Sequence, residues 1–390
     1  MHVFLIAGEP SGDRLGAALM AGLRQLRPEV RFSGVGGAEM QAQGLASLFP
    51  MEELSVMGLA EVLPKYRQLK RRIRQTAEEV LRLSPDVLIT IDSPDFNLRV
   101  ARRVRAASPL RTVHYVAPSV WAWRPGRAAK MAKVVDQVLA LLPFEPPWME
   151  AAGMRCDFVG HPVVADPVPT AAEVSAFCAA EGLGEAPVIV ALPGSRRGEV
   201  ERLAPVFGES LRPVLARHPA ARVVVPAATP VAGRVRELVR HWPGAPLVLD
   251  PRTMPPQAAA ARKRAAFAAA QVALAASGTV SLELAATSTP MVIAYDMNWL
   301  SRLIIGRMLK VDTVTLVNLV SESRAVPEYL GTACRPENIA AGLLEVMENP
   351  DAQRQAMALT MQRLGRGGEA PGLRAARAVL AGLGQAGATG

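Results

Sequence analysis

Short apolar runs alternate along this chain with longer stretches that carry charge at helical spacing. The first series of runs is 2–7 (HVFLIA), 31–35, 86–91 (DVLITI), 111–116 (RTVHYV) and 137–142 (QVLALL). After position 185 the alternation starts again, at 187–194, 221–228, 246–250, 271–277 and 290–296. Runs this short and this apolar read as strands buried on both faces, and each gap is long enough for a helix. Strand–helix alternation predicts parallel sheets covered by helices. Two series predict an α/β protein of two doubly wound, Rossmann-like domains. Pro162, Pro167 and Pro169 interrupt the chain at 160–169 and mark a linker. The expected division is 1–165, 170–345, and a stretch 346–390 of helices and tail that can pack back on the first domain. The Ala-rich segment 252–270, with Arg262, Lys263 and Arg264, predicts a helix.

A length of 390 residues agrees with two domains of roughly 200 each. Half the residues are hydrophobic and 20% are charged, which excludes a disordered or coiled-coil chain. A net charge of +9 favours anionic partners: phosphates, nucleotides, nucleic acid or a membrane surface. The basic residues are scattered and no RNP, KH or zinc-finger pattern is present, so nucleic acid is not the expected partner. Cys156, Cys178 and Cys334 form no CxxC, and the five histidines form no HxxxH. No metal and no cofactor are expected, and a reducing cytoplasmic location fits. The N-terminal residues to Glu9 read as a strand rather than a signal peptide. No run of 18 apolar residues is present, so membrane contact is expected to be peripheral.

In doubly wound sheets ligands sit beyond the carboxyl ends of strands, so the residues there carry the candidate chemistry. After the first run comes Gly8-Glu9-Pro10-Ser11-Gly12-Asp13, with a helix expected from about Arg14. Its glycines allow close backbone approach, although Ser11 or Asp13 equally suits a helix cap. After the third run come Asp92 and Asp95, two carboxylates on a rigid strand end and therefore candidate general bases. Capping by Ser93 or Asp95 is the competing reading. The segment 114–124 places Trp121 and Trp123 beside Pro118 and Arg124, as a pocket wall or as structural tryptophans under a loop.

The second series offers Gly194-Ser195-Arg196 before a helix, a phosphate-site pattern that is not a Walker A. Ser277, Gly278 and Thr279 follow another strand, with Glu283 about one helical turn on. Phosphate donors followed by a carboxylate for a ribose diol describe a nucleoside diphosphate. A capped helix explains the same residues. Asn318 and the mixed polar residues to Glu328 read alone as a loop after a Thr/Val-rich strand.

Taken together and in order, GEPSGD (8–13), IDSPDFN (91–97), HYVAPSVWAWR (114–124), LLPFE (141–145), FVGHP (158–162), LPGSRRGE (192–199), SGTVSLE (277–283) and VNLV…VPE (317–328) resemble the lipid-A-disaccharide synthases of Gram-negative bacteria. The resemblance runs from residue 2 to about 345, with Pro10 where Ala is expected. It implies a glycosyltransferase-B fold with a cleft between the domains. It also implies an inverting, metal-independent hexosyltransferase of lipid A, hence lipopolysaccharide, biosynthesis. The implied reaction moves 2,3-diacylglucosamine from UDP-2,3-diacylglucosamine to 2,3-diacylglucosamine 1-phosphate, giving a β-1,6-linked disaccharide 1-phosphate and UDP. By motif, Asp92 is the implied base and Asp95 its competitor. Ser195, Arg196, Ser277, Gly278, Thr279, Glu283 and Asn318 fall on the donor side, and Glu9, Ser11 and Asp13 on the acceptor side. The alternatives are other UDP-sugar enzymes of the same fold, a UDP-N-acetylglucosamine 2-epimerase or the peptidoglycan lipid-intermediate glycosyltransferase.

Acylated substrates imply a protein peripheral to the cytoplasmic face of the inner membrane. Segment 57–72 fits an anionic membrane surface. Met57, Leu59, Val62, Leu63, Tyr66 and Leu69 are apolar, and Lys65, Arg67, Lys70, Arg71, Arg72 and Arg74 are basic. Pro64 is expected to start a helix after a loop. An amphipathic helix with its apolar side in the core gives the same pattern.

Overall fold

The computed structural model describes residues 1–54, 59–122, 126–296 and 312–386, with the side chains of 59–65 and 385–386 excluded. It divides into two compact units, 1–165 with 367–390, and 166–366.

The first unit is built on β1 (His2–Ala7), β2 (Arg31–Val35), β3 (Val87–Ile91), β4 (Thr112–Tyr115), β5 (Gln137–Ala140) and β6 (Arg155–Phe158). All pair in parallel in the order β2-β1-β3-β4-β5-β6. Side-chain alternation along β1 sends Val3, Leu5 and Ala7 to one face and Phe4 and Ile6 to the other. The first face is covered by helix Pro10–Leu26 and the C-terminal helix Pro371–Ala386, the second by helices Leu59–Leu83 and Pro94–Ala107. Helix Pro10–Leu26 and the C-terminal helix approach at backbone distance. A Cβ on Gly22 would stand 2.7 Å from the Gly372 carbonyl oxygen. Gln137 Nε2 also donates to the Ala378 carbonyl, fixing the last helix to β5.

The second unit holds β7 (Val188–Leu192), β8 (Arg222–Pro226), β9 (Leu247–Leu249), β10 (Ala270–Ala275), β11 (Met291–Tyr295) and β12 (Glu328–Leu330). They too are parallel, in the order β12-β11-β10-β7-β8-β9. Helices Arg197–Arg217, Ala232–Val239 and Pro336–Glu348 contribute to the core on one face of this sheet. Segment 346–366 belongs to this unit and 367–390 to the first.

The sequence pattern misses β6 and β12. Both are edge strands of three or four residues, largely half-buried, so neither produces a continuous apolar run. Other expectations need correction. The first helix begins at Pro10 rather than near Arg14, because proline at a helix start loses no intrahelical bond. Helix Leu59–Leu83 likewise begins before Pro64, which is its sixth residue and forgoes one intrahelical hydrogen bond there. The stretch before Asn318 is not a strand. Glu328 Oε1 accepts from the backbone N–H groups of Val314 and Thr315, and Leu316–Ser321 is a short helix.

A buried acid fixes the loop after β4. Val116 has φ of +84°, rare for a β-branched residue, and the chain then turns toward Trp121. Trp121 packs edge-on against Phe144 at 5.1 Å, and its indole donates to Glu145. The other Glu145 oxygen accepts from the Leu141 and Leu142 N–H groups beyond β5. Burial outweighs these bonds and pushes the Glu145 carboxyl up to about 7. An acid whose folded pKa is raised stabilises fully below its unfolded value, near 4.5, and loses that contribution as pH rises through about 7. Wild-type protein should therefore lose up to about 1.4 kcal/mol of stability per pH unit across that window from this group. Glu145→Gln cannot ionise and should flatten the decline. Calorimetric melting at pH 5 to 8 checks this, and parallel curves for the two proteins would refute it.

Candidate functional site

In each sheet the strand order reverses direction once, and the turns leaving the two strands at that point can open a crevice for a ligand. In the first unit this point lies between β1 and β3, where Ala7 is level with Ile91. The next residues, Gly8 and Asp92, therefore begin neighbouring turns. They lie so close that a Cβ on Gly8 would stand 2.6 Å from Ser93 Oγ, so a larger residue there would have to displace the Ser93 side chain.

Asp92 and Ser93 have φ of +47° and +42°, two consecutive non-glycine residues in the left-handed region. Such strain persists only where the surroundings over-determine it. Here the Asp92 N–H donates to the Tyr115 carbonyl, and Asn97 Nδ2 donates to the Ile91 and Asp92 carbonyls. The backbone under Asp92 is thus held from both sides. Asp95 lies exposed in the first turn of helix Pro94–Ala107. Among the described residues neither carboxylate takes part in a hydrogen bond or ion pair, unlike Asp13, Asp136, Asp157 and Asp250, which are all engaged.

Glu9, Ser93, Pro94, Asp95 and Phe96 line a cavity of about 400 Å³ with Leu54, Tyr66, Leu69, Lys70, Ile73 and Arg99. The structure thus brings Glu9 and Asp95 together, whereas Asp92 does not line this cavity. Ser11 is exposed and does not line it. Asp13 is buried, its carboxylate accepting from the backbone N–H groups of Gly37, Glu39 and Met40. Its role is to cap the short helix Ala38–Ala42. His114, in this region of the sheet, is buried against Thr90 Oγ1 at 2.7 Å. Burial lowers its pKa to about 4, so it is neutral at physiological pH.

Of the apolar residues of segment 57–72, Tyr66 is exposed, whereas Leu69 packs against the core and lines the cavity. Met57 and the side chains of Leu59, Val62 and Leu63 lie outside the described residues, as do Trp123 and Arg124. Arg72 of the basic cluster is committed to Glu53 at 2.6 Å and to the Phe49 ring.

In the second unit the reversal lies between β7 and β10, with Leu192 level with Ala275. Gly194, Ser195 and Arg196 from one turn and Ser277, Gly278, Thr279 and Glu283 from the other line one cavity of about 470 Å³. Gly194 and Gly278 have φ of +126° and +129°, a conformation that needs glycine. The Ser195 and Arg196 N–H groups both donate to Glu199 Oε2 at 3.2 Å, so they already hold an anionic oxygen at the start of helix Arg197–Arg217.

Lys263 also lines this cavity, and its ammonium pairs with Glu283 at 2.5 Å. Sequence reasoning took it only as part of an Ala-rich helix. Its neighbour Arg262 is bound instead to Glu181. Only the helix register separates the two. Lys263 further borders an adjoining cavity of about 540 Å³ lined by Asp250, Arg252 and Met254. Asn318 does not join the site. It is buried, with its side chain bonded to Thr313 and to both backbone groups of Val326, where it closes the 313–326 loop.

Comparison with known proteins adds a whole-chain context. Residues 3–377 match the family model described as Lipid-A-disaccharide synthetase. The lipid-A-disaccharide synthase of Ruegeria pomeroyi is 69% identical over 380 residues, covering 97% of this chain and 95% of that protein. That of Rhodospirillum centenum is 46% identical, covering 97% and 94%. Among solved structures, UDP-GlcNAc 2-epimerase from Neisseria meningitidis bound to UDP-GlcNAc superposes with a TM-score of 0.66. It is 12% identical and covers 99% of this chain and all of that one. The Methanocaldococcus jannaschii UDP-GlcNAc 2-epimerase gives 0.59 at 12% identity, covering 97% and 99%. At such low identity these two attest the fold alone. By family model and by close relatives over nearly its whole length, the chain belongs to the lipid-A-disaccharide synthase family.

Proposed function

We infer that this protein is a glycosyltransferase of lipid A biosynthesis. It transfers 2,3-diacylglucosamine from its UDP derivative to 2,3-diacylglucosamine 1-phosphate, with the β-1,6-linked disaccharide 1-phosphate and UDP as products. The observation that carries this reading is 69% identity to a lipid-A-disaccharide synthase across 97% of the chain. The geometry supports a division of labour within it.

The second unit takes the donor. Ser195, Arg196, Ser277 and Thr279 face a cavity of the right chemistry for a diphosphate, with N–H groups that already bind a carboxylate. Arg196 is exposed and forks onto a phosphate as the leaving group gains charge. Glu283, oriented by Lys263, accepts from the ribose hydroxyls.

The first unit takes the acceptor. Asp92 removes the proton of the acceptor 6-hydroxyl as that oxygen attacks the donor's anomeric carbon. The bond from that carbon to the diphosphate breaks, and its electron pair leaves with UDP. Attack opposite the leaving group inverts the anomeric centre. The strained, braced backbone of Asp92 supports it over Asp95, and both carboxylates are uncommitted to other partners. No metal is assigned a role, the arginine and backbone N–H groups supplying the counter-charge.

No helix among the described residues is long and apolar enough to cross a membrane. Acylated substrates nonetheless require contact with a bilayer. Helix Leu59–Leu83 supports peripheral docking through exposed Tyr66 and the neighbouring Arg67 and Arg71.

Three tests follow from these assignments. Asp92→Asn should lower kcat by about 10²–10⁴-fold with UDP affinity near wild type, and a fully active Asp92→Asn beside a crippled Asp95→Asn would transfer the role. Glu283→Ala should weaken UDP binding by about 1.5–3 kcal/mol through loss of charged hydrogen bonds, and unchanged calorimetric affinity would remove it from the site. Val62→Ser with Leu63→Ser, leaving Leu69 in the core, should reduce binding to anionic vesicles without lowering the melting temperature. A large fall in melting temperature with unchanged vesicle binding would place both in the core.

A further inference from the structure

The first-unit cavity offers more than the carboxylates of Glu9 and Asp95, and Asp92, next in the chain to Ser93, does not line it. Two cations line it, Lys70 from helix Leu59–Leu83 and Arg99 from helix Pro94–Ala107. Both side chains are exposed at its edge, and neither forms an ion pair among the described residues, although Asp95 lines the same cavity. Among the described residues the partner of Lys70 is the ring of Tyr66, 5.5 Å from its ammonium. Of the other cations on the same helix, Arg72 is paired with Glu53 and Arg82 with Glu79, Arg74 stands 3.6 Å from Glu78, and Arg67 and Arg71 are exposed but do not line the cavity. Leu54, Leu69, Ile73 and Phe96 add apolar lining to the same cavity.

We propose that Lys70 and Arg99 form the subsite for the anomeric phosphate of the acceptor and select the phosphorylated sugar over its unphosphorylated counterpart. The inference rests on the transferase reading above. One acceptor ring carries both the hydroxyl to be deprotonated and a phosphate monoester of charge near −2. Carboxylates and cations must therefore face the same sugar-sized space, with apolar surface for the acyl chains. This cavity contains all three. The guanidinium of Arg99 can grip two phosphate oxygens at once, and Lys70 adds a point charge. Arg99 lies one helical turn beyond Asp95 on the same helix, and Lys70 comes from helix Leu59–Leu83, so one bound sugar can meet both a carboxylate and the cations.

Phosphates of an anionic bilayer offer the same chemistry, so the test keeps the two sources apart. UDP release is measured in neutral-detergent micelles, free of anionic lipid, with diacylglucosamine 1-phosphate and with diacylglucosamine lacking the phosphate. Wild type is compared with Lys70→Gln, Arg99→Gln and the double variant, and with Arg99→Lys, which keeps the charge but not the fork. Each neutral variant should raise the acceptor KM about tenfold, and the double variant about 10²-fold, as loss of charged hydrogen bonds predicts. The donor KM should not change. The preference for the phosphorylated acceptor should collapse in the double variant and be partly restored in Arg99→Lys. Equal losses on both acceptors, or no loss, overturn the proposal. A defect confined to binding of vesicles containing anionic lipid, with acceptor preference intact in micelles, overturns it in favour of a bilayer role. Wild-type protein that releases no UDP with either acceptor removes the transferase reading and this subsite with it.

Discussion

A parallel sheet buried on both faces leaves chemistry only one place to go. Along β1, β3 and β7 every residue from Val3 to Ala7, from Val87 to Ile91 and from Val188 to Leu192 is buried. No polar group there can reach a ligand, and packing density leaves no space for one. All strands run the same way, so their carboxyl ends gather along one edge of each sheet. The point where strand order reverses is where two turns diverge and a cavity can open between helices. Both candidate sites sit there, one at β1 and β3 and the other at β7 and β10. The left-handed backbone at Asp92, Ser93, Gly194 and Gly278 reflects how sharply the chain must turn to stay at that edge.

The allocation of charge follows from the same geometry. Acids buried or placed near backbone N–H groups are consumed by structure. Asp13 caps a short helix, Glu145 bridges two loops, Glu328 satisfies a turn, and Asp250 is held by Arg236 and Arg252. Arg252 and its neighbours lower the Asp250 pKa to about 2, so it remains ionised as a fixed anchor. At the cavities the pattern changes. Asp92, Asp95, Lys70 and Arg99 have no charged partner among the described residues, and Lys263 and Glu283 hold one another at the wall of the donor cavity. Uncommitted charge at a strand end has no role in holding the fold and is available to substrate.

The chemistry of several residues was legible before their position was. The turns 8–13, 91–97, 192–199 and 277–283 stand out because glycine, serine and acid follow an apolar run, and that pattern is local in sequence. The parallel strands were legible for the same reason, since a strand buried on both faces is a continuous apolar run. Edge strands β6 and β12 lack that signature because solvent reaches them. Asp13 and Asn318 looked like site residues by motif. Whether an acid or an amide faces a cavity or a neighbouring backbone N–H depends on segments distant in the chain, Gly37–Met40 for one and Val326 for the other.

By itself the sequence determined the α/β class, the motif order that marks the family, and the residue types able to bind phosphate or accept a proton. Those properties depend on composition and spacing within a few residues. The tertiary structure alone decided which of them meet. It placed Lys263 against Glu283 rather than with Arg262, brought Lys70 and Arg99 from two helices to one cavity with Asp95, and turned Asp13 inward. Helix register against a sheet sets those outcomes, and a rotation by a single residue, about 100°, would present a different side chain. That register is fixed by packing among the whole set of helices and strands, and no local stretch of sequence contains it.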